Sequence, residues 1–139
     1  MGPMRSNTLT ITIDAPRDDV LAFLADPANL PRWAPNFAPA IRPDGDAWIV
    51  GEGDGALRVQ VPVDRDLGTT DIHITLPNGA RRAVYLRTLP NGDGAEVLFT
   101  LFHSDSRSDE DVARQNAEVE GELRLLKALC EAPVSGGAG

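Results

Sequence analysis

The 139-residue chain suits one domain with one core, and its 42% hydrophobic and 24% charged residues match an ordinary globular protein. A formal net charge of −8 argues against nucleic-acid binding, which needs Lys and Arg to neutralise phosphates, and against docking on anionic membranes. No apolar run approaches the ~20 residues that span a bilayer, residues 1–6 lack the apolar segment of a secretory signal, and Cys130 stands alone, so no disulfide framework and no membrane insertion are expected and the protein reads as cytoplasmic.

The first element is Thr8-Leu9-Thr10-Ile11-Thr12-Ile13, an unbroken alternation that predicts a half-buried strand with Leu9, Ile11 and Ile13 inward. Residues 1–6 ahead of it are expected to be disordered, leaving one domain over 7–132. Pro16 fits the first position of a helix, where its missing N–H costs nothing, and Asp18 and Asp19 suit the positive end of the helix dipole. Val20, Phe23 and Leu24 recur at helical spacing until Pro27 stops them. Asp26 can cap a second short helix that begins at Pro27, with Pro31 and Pro35 limiting its length.

Short strands follow. Ala40 to Arg42 and Ala47 to Val50 are joined at Pro43-Asp44-Gly45-Asp46, and Gly51-Glu52-Gly53-Asp54-Gly55 forms a wide turn rather than a phosphate loop, because no Lys-Ser/Thr and no helix follow it. Leu57, Val59, Val61 and Val63 alternate with polar residues, with Pro62 marking an edge or an end. The pentapeptide Thr75-Leu76-Pro77-Asn78-Gly79 recurs as Thr88-Leu89-Pro90-Asn91-Gly92. Asn-Gly adopts positive φ readily, so the copies predict two successive hairpins joining strands Thr69–Leu76, Arg82–Leu89 and Glu96–His103.

Ser108, with Asp111 three residues on, caps the longest helix. Its apolar stripe is Val112, Asn116, Val119, Leu123, Leu126 and Cys130, and Pro133 ends it. Residues 133–139 are expected to be a disordered tail. Cys130, in apolar helical surroundings, is expected to be a buried and inert thiol.

A single amphipathic helix cannot bury its stripe alone, and a seven-stranded antiparallel sheet has one apolar face to cover. Curving the sheet around the helix satisfies both. The expected class is therefore α+β with a helix-grip fold: a seven-stranded curved antiparallel sheet around a long C-terminal helix, with two short helices after the first strand.

The same order resembles the START-like (SRPBCC) superfamily, which includes polyketide cyclases and dehydrases, plant allergens of the birch-pollen type and lipid-transfer domains. The resemblance is carried by Ile11-Thr12-Ile13-Asp14-Ala15-Pro16, by Val20-Leu21-Ala22-Phe23-Leu24-Ala25-Asp26-Pro27 and by Asn29-Leu30-Pro31-Arg32-Trp33. It implies a cavity between helix and sheet and a function in binding a hydrophobic small molecule such as a lipid, a polyketide or an aromatic metabolite. The alternatives are a cyclase or dehydrase with an acid–base residue in that cavity, or a stress-response interaction module docking through an exposed apolar patch near Trp33 to Phe37. A bacterial source fits a basic complement of twelve Arg and one Lys beside abundant Ala, Gly and Pro.

Strand parity turns Val59, Ile72, Ile74, Phe99 and Leu101 toward the cavity, together with Leu57, Val61 and Val97. Trp33 and Phe37 are placed near its mouth, and Asn116 interrupts the helical stripe and either reaches the cavity or bonds a neighbour. Three residues are candidates for catalysis. His103 continues the inward parity of Phe99 and Leu101 and either acts as a base or closes the strand at the domain rim. Tyr85 and Arg87 share one face of their strand; pointing inward, Arg87 could stabilise an enolate. Burial of an Arg demands a paired charge, which favours Val84, Leu86 and Thr88 inward and Arg87 in solvent. His73 and His103 lie on different strands without metal-ligand spacing, so no metal and no cofactor are expected. The oligomeric state is not legible.

Overall fold

The computed structural model describes residues 2–132; the tail expected at 133–139 lies outside them. The first alternation runs further than Thr8: strand β1 covers Arg5–Ile13. Arg5 and Ser6, expected to be disordered, pair with His103 and Phe102, because the last strand is long enough to template them. Helix α1 spans Arg17–Ala25, with Pro16 as its N-cap residue rather than its first helical one. The Pro16 carbonyl accepts from the N–H groups of Asp19 and Val20, a bond that needs no N–H from the proline itself. Asp26 caps a 3₁₀ turn at Pro27–Asn29, its side chain accepting from Ala28 N–H at 3.0 Å, and helix α2 (Leu30–Trp33) continues from it.

The remaining strands are β2 (Ile41–Asp44), β3 (Ala47–Val50), β4 (Leu57–Gln60), β5 (Ile72–Thr75), β6 (Arg81–Asn91) and β7 (Gly94–His103), followed by helix α3 (Asp109–Glu131). They form one antiparallel sheet in the order β1-β7-β6-β5-β4-β3-β2. The helix-grip architecture is thus the one expected. Two strands are shorter than their alternation suggested. β4 stops at Gln60, short of Val61, Pro62 and Val63, and β5 starts only at Ile72. Between them the chain turns tightly from Asp64 to Thr69, and Gly68 lies so close to β6 that an added Cβ would sit 2.3 Å from the Thr88 carbonyl oxygen.

The two pentapeptide copies fold differently. The first leaves the sheet after Thr75, so that Leu76 to Ala80 make a loop with Gly79 at φ 86°. The second stays in β6 through Asn91, which pairs with Gly94 across a two-residue turn at Gly92 and Asp93. Pro90 is tolerated in that strand because β5 has already left its other edge, so no partner needs its missing N–H.

The core is fullest where α1, β1, β7 and the C-terminal half of α3 meet, around Ile13, Val20, Val97 and Leu126, none with any exposed surface. β6 is shared between two partners. Its residues 81–84 pair with β5 and its residues 85–91 with β7. Beyond Tyr85, β7 continues beside β1 while β6 bends away with β5, and the sheet parts between Arg81–Val84 and Leu101–His103.

Candidate functional site

That parting opens into a cavity of about 610 Å³ between the sheet and α3. The volume falls within the roughly 300–1,000 Å³ of small-molecule sites. Its apolar wall includes Trp33, Phe37, Leu57, Ile72, Ile74, Phe99 and Leu101, all among the side chains that parity and position had placed there. Trp33 is almost wholly buried and meets Phe99 edge to face, with ring centroids 6.5 Å apart. Four other expected lining residues sit elsewhere. Val97 is wholly buried in the core, and Val61 packs against that core beyond the end of β4. Val59 is buried in the core opposite Ile74 and Trp48 and is not part of the wall. Asn116 is half-buried and also outside it; its Oδ1 has no hydrogen-bond partner among the described residues.

The three catalytic candidates do not converge in the cavity. Arg87 is exposed on the outer face, where its Nε–H donates to the Leu67 carbonyl at 3.3 Å, and Val84, Leu86 and Thr88 are the inward residues. Tyr85 is on the same outer face, 44% exposed; it stacks edge to face on Phe102, and both residues are part of the cavity lining. His103 does point inward and is 1% exposed, but it does not line the cavity. Its Nε2 lies 2.8 Å from Asn7 Oδ1. Burial, then the positive charges of Arg107 and Arg5, hold its pKa below the ordinary histidine value, so it is a neutral ring at pH 7.

Sequence reading missed the group that dominates the site. Glu122 lines the cavity at 7% exposure, and its Oε2 has no hydrogen-bond partner among the described residues. Burial raises its pKa to about 7, against the N–H groups of Phe37 and Asn36, which favour the charged form; Glu118 adds a smaller raising effect. α3 supplies it in register. Val119, Glu122 and Leu126 follow at intervals of three and four, so Glu122 lies on the buried stripe beside Leu123. That spacing was the available signal, masked by the habit of assigning every helical Glu to solvent. Cys130, half-buried, has its thiol pushed up to about 11 by burial and then by Glu131, consistent with an unreactive group. Among the described residues no group of three or more His, Cys, Asp or Glu side chains could hold a metal ion, and no helix is long and apolar enough to cross a membrane.

The geometry defines a class: a helix-grip domain with an apolar-walled cavity that holds a buried carboxyl. The family model described as "Polyketide cyclase / dehydrase and lipid transport" matches residues 4–131, and the chain belongs to that family. The START-like resemblance of its first third therefore holds over almost its whole length. Among solved structures, the chain is similar to the Zhui aromatase/cyclase from Streptomyces sp. R1128, at 17% identity and a TM-score of 0.65, covering 98% of this chain and 99% of that one. It is also similar to the protein XoxI from Bacillus cereus, at 14% identity and a TM-score of 0.70, covering 91% and 96%. DynU16, a protein of the dynemicin biosynthetic locus, matches at 18% identity and a TM-score of 0.66 over 94% of this chain, which spans only 48% of that protein. At these identities the likeness is one of fold. No curated protein matches the chain.

Proposed function

We propose that this protein binds a hydrophobic small molecule, of lipid, polyketide or aromatic type, in the cavity between the sheet and α3. The observation that carries this reading is the pairing of an apolar wall, Trp33, Ile74, Phe99 and Leu101 among it, with one buried carboxyl whose second oxygen is unpartnered. Such a wall gains from excluding water, and a lone hydrogen-bonding group fixes orientation. The buried Glu122 gains the partner it lacks when a ligand hydroxyl or carbonyl reaches it. The test is native mass spectrometry of the purified protein together with a thermal-shift screen of lipids, polyketides and hydroxylated aromatics. Retained ligand or a clear rise in Tm supports the reading; a protein that carries nothing and responds to no member of the panel overturns it.

A second reading, a cyclase- or dehydrase-like enzyme, is favoured by the same side chain. A carboxyl that titrates near pH 7 is matched to proton transfer at that pH. As carboxylate it would take the proton α to a substrate carbonyl. As the acid so formed it would return that proton to the β-hydroxyl, which leaves as water while the carbon–carbon double bond forms. Glu122→Gln separates the two readings: under the second it retains binding of a screened β-hydroxy ketone and loses its conversion.

A further inference from the structure

Three guanidinium groups line the cavity, Arg81, Arg82 and Arg107, and among the described residues none has an anionic partner; Arg81, opposite Thr75, stands on the other face of β6 from Arg82. Arg82 lies opposite Ile74 in the β5–β6 register. Directly opposed residues of an antiparallel pair share a face, so Arg82 projects on the concave side with Ile74, two residues ahead of Val84. It is exposed there because it stands at the opening, where β6 has left β7. Arg107, half-buried, approaches the same cavity from the loop before α3. Its two terminal nitrogens donate to neutral acceptors only, Gln115 Oε1 at 2.9 Å and the Asp111 carbonyl at 3.2 Å, which hold it in place without neutralising it. The ion pairs of the described residues use Arg5, Arg17, Arg58, Arg114, Arg124 and Lys127. Neither Arg82 nor Arg107 is among them, although Glu118 lines the same cavity. In a chain of net charge −8, Arg82 and Arg107, with Arg81 beside them, form a local positive site at one opening. The same cavity holds the apolar wall and, seven residues along α3 from the Gln115 that Arg107 contacts, the unpartnered oxygen of Glu122.

We infer that the cavity takes an amphipathic anion, with an oxyanion head, carboxylate or phosphate, at Arg82 and Arg107, an apolar body along the wall, and a hydroxyl or carbonyl at its far end meeting Glu122. This rests on the binding reading above and specifies its ligand class. Arginine matches an oxyanion through paired N–H donors, which a neutral head group cannot exploit.

Calorimetric titration of the full chain with dodecanoate, dodecyl phosphate and dodecanol tests the head group. At least one of the two anions binds about tenfold tighter than dodecanol, the preferred one naming the head, and raising the salt concentration narrows the gap. Arg82→Gln removes most of that advantage and leaves dodecanol binding unchanged; Arg82→Lys restores part of it. 12-Hydroxydodecanoate tests the far end: its advantage over dodecanoate disappears in Glu122→Leu. Dodecanol binding as tightly as both anions, or an anion advantage indifferent to Arg82→Gln and to salt, overturns the inference and leaves the cavity reading standing. Failure of all four probes to bind overturns both.

Discussion

The two halves of α3 face the same curved sheet and meet opposite fates. Its C-terminal half buries Leu123 and Leu126 in the core, and side-chain bonds tie it to the end of β1: Glu131 accepts from Asp14 N–H at 2.7 Å, and Lys127 donates to the Thr12 carbonyl at 2.9 Å. Its N-terminal half presents Gln115, Glu118, Val119 and Glu122 to open space. The difference is one of side-chain volume. From Asp109 to Glu118 the helix has Val112 as its one residue larger than Ala that is apolar, whereas Leu123 to Cys130 carries four Leu or Cys on or beside the buried stripe together with Leu125. A sheet that also parts at Val84–Tyr85 cannot be filled by short polar side chains, so the closed end supplies stability and the open end supplies the cavity.

The sharpest way to break this contrast is to truncate one leucine at each end. Leu126→Ala should cost about 4 kcal/mol, because its surroundings are packed on all sides, whereas Leu101→Ala, on the cavity wall, should cost about half as much. Denaturant unfolding of both variants checks this, and equal losses would mean that the open end is packed like the closed one.

The next effect is electrostatic. Glu122 has a folded pKa of about 7 against 4.5 for the free group. Its contribution is fully present below about pH 4.5 and is lost as pH rises through 7, up to about 3 kcal/mol at about 1.4 kcal/mol per unit. His103 works in the opposite sense: its pKa is lowered, so its contribution is present above pH 6.5 and lost as pH falls through the folded value. Glu122→Gln should therefore stabilise the protein at pH 8 and leave the histidine slope, stability rising with pH below 6.5. Thermal melts across that range, wild type against variant, measure it; a variant whose melting profile parallels the wild type would show that Glu122 titrates normally.

The smallest effect lies at the start of α3. Ser108 Oγ accepts from Asp111 N–H at 3.1 Å, and Ser108→Ala should cost about 1 kcal/mol. Because few apolar contacts hold that half, the loss should appear as faster amide hydrogen exchange confined to residues ahead of Val119. Uniform acceleration through Leu126 would show instead that the helix opens as one unit.

Much of this molecule is written in local pattern. Thr–Ile alternation specified β1, Asp26 and Ser108 announced their caps, and the stripe from Val112 to Cys130 named the helix that the sheet must wrap. These follow from periodicity and backbone chemistry, which neighbouring residues decide. The apolar wall was legible for the same reason, since parity alone turns Ile72, Ile74, Phe99 and Leu101 inward. What only the tertiary structure decided is the polar part of the site. His103 has the right parity, yet its ring is engaged by Asn7, 96 residues away in the chain. Arg82 has the same parity as Val84, and only the departure of β6 from β7 leaves it at the cavity opening. Two identical pentapeptides become a five-residue loop and a strand end because their partners differ, not their sequence. Glu122 is an ordinary acid in the sequence and one with a raised pKa in place, because its pKa depends on what excludes water from it, and that is set by elements distant in the chain.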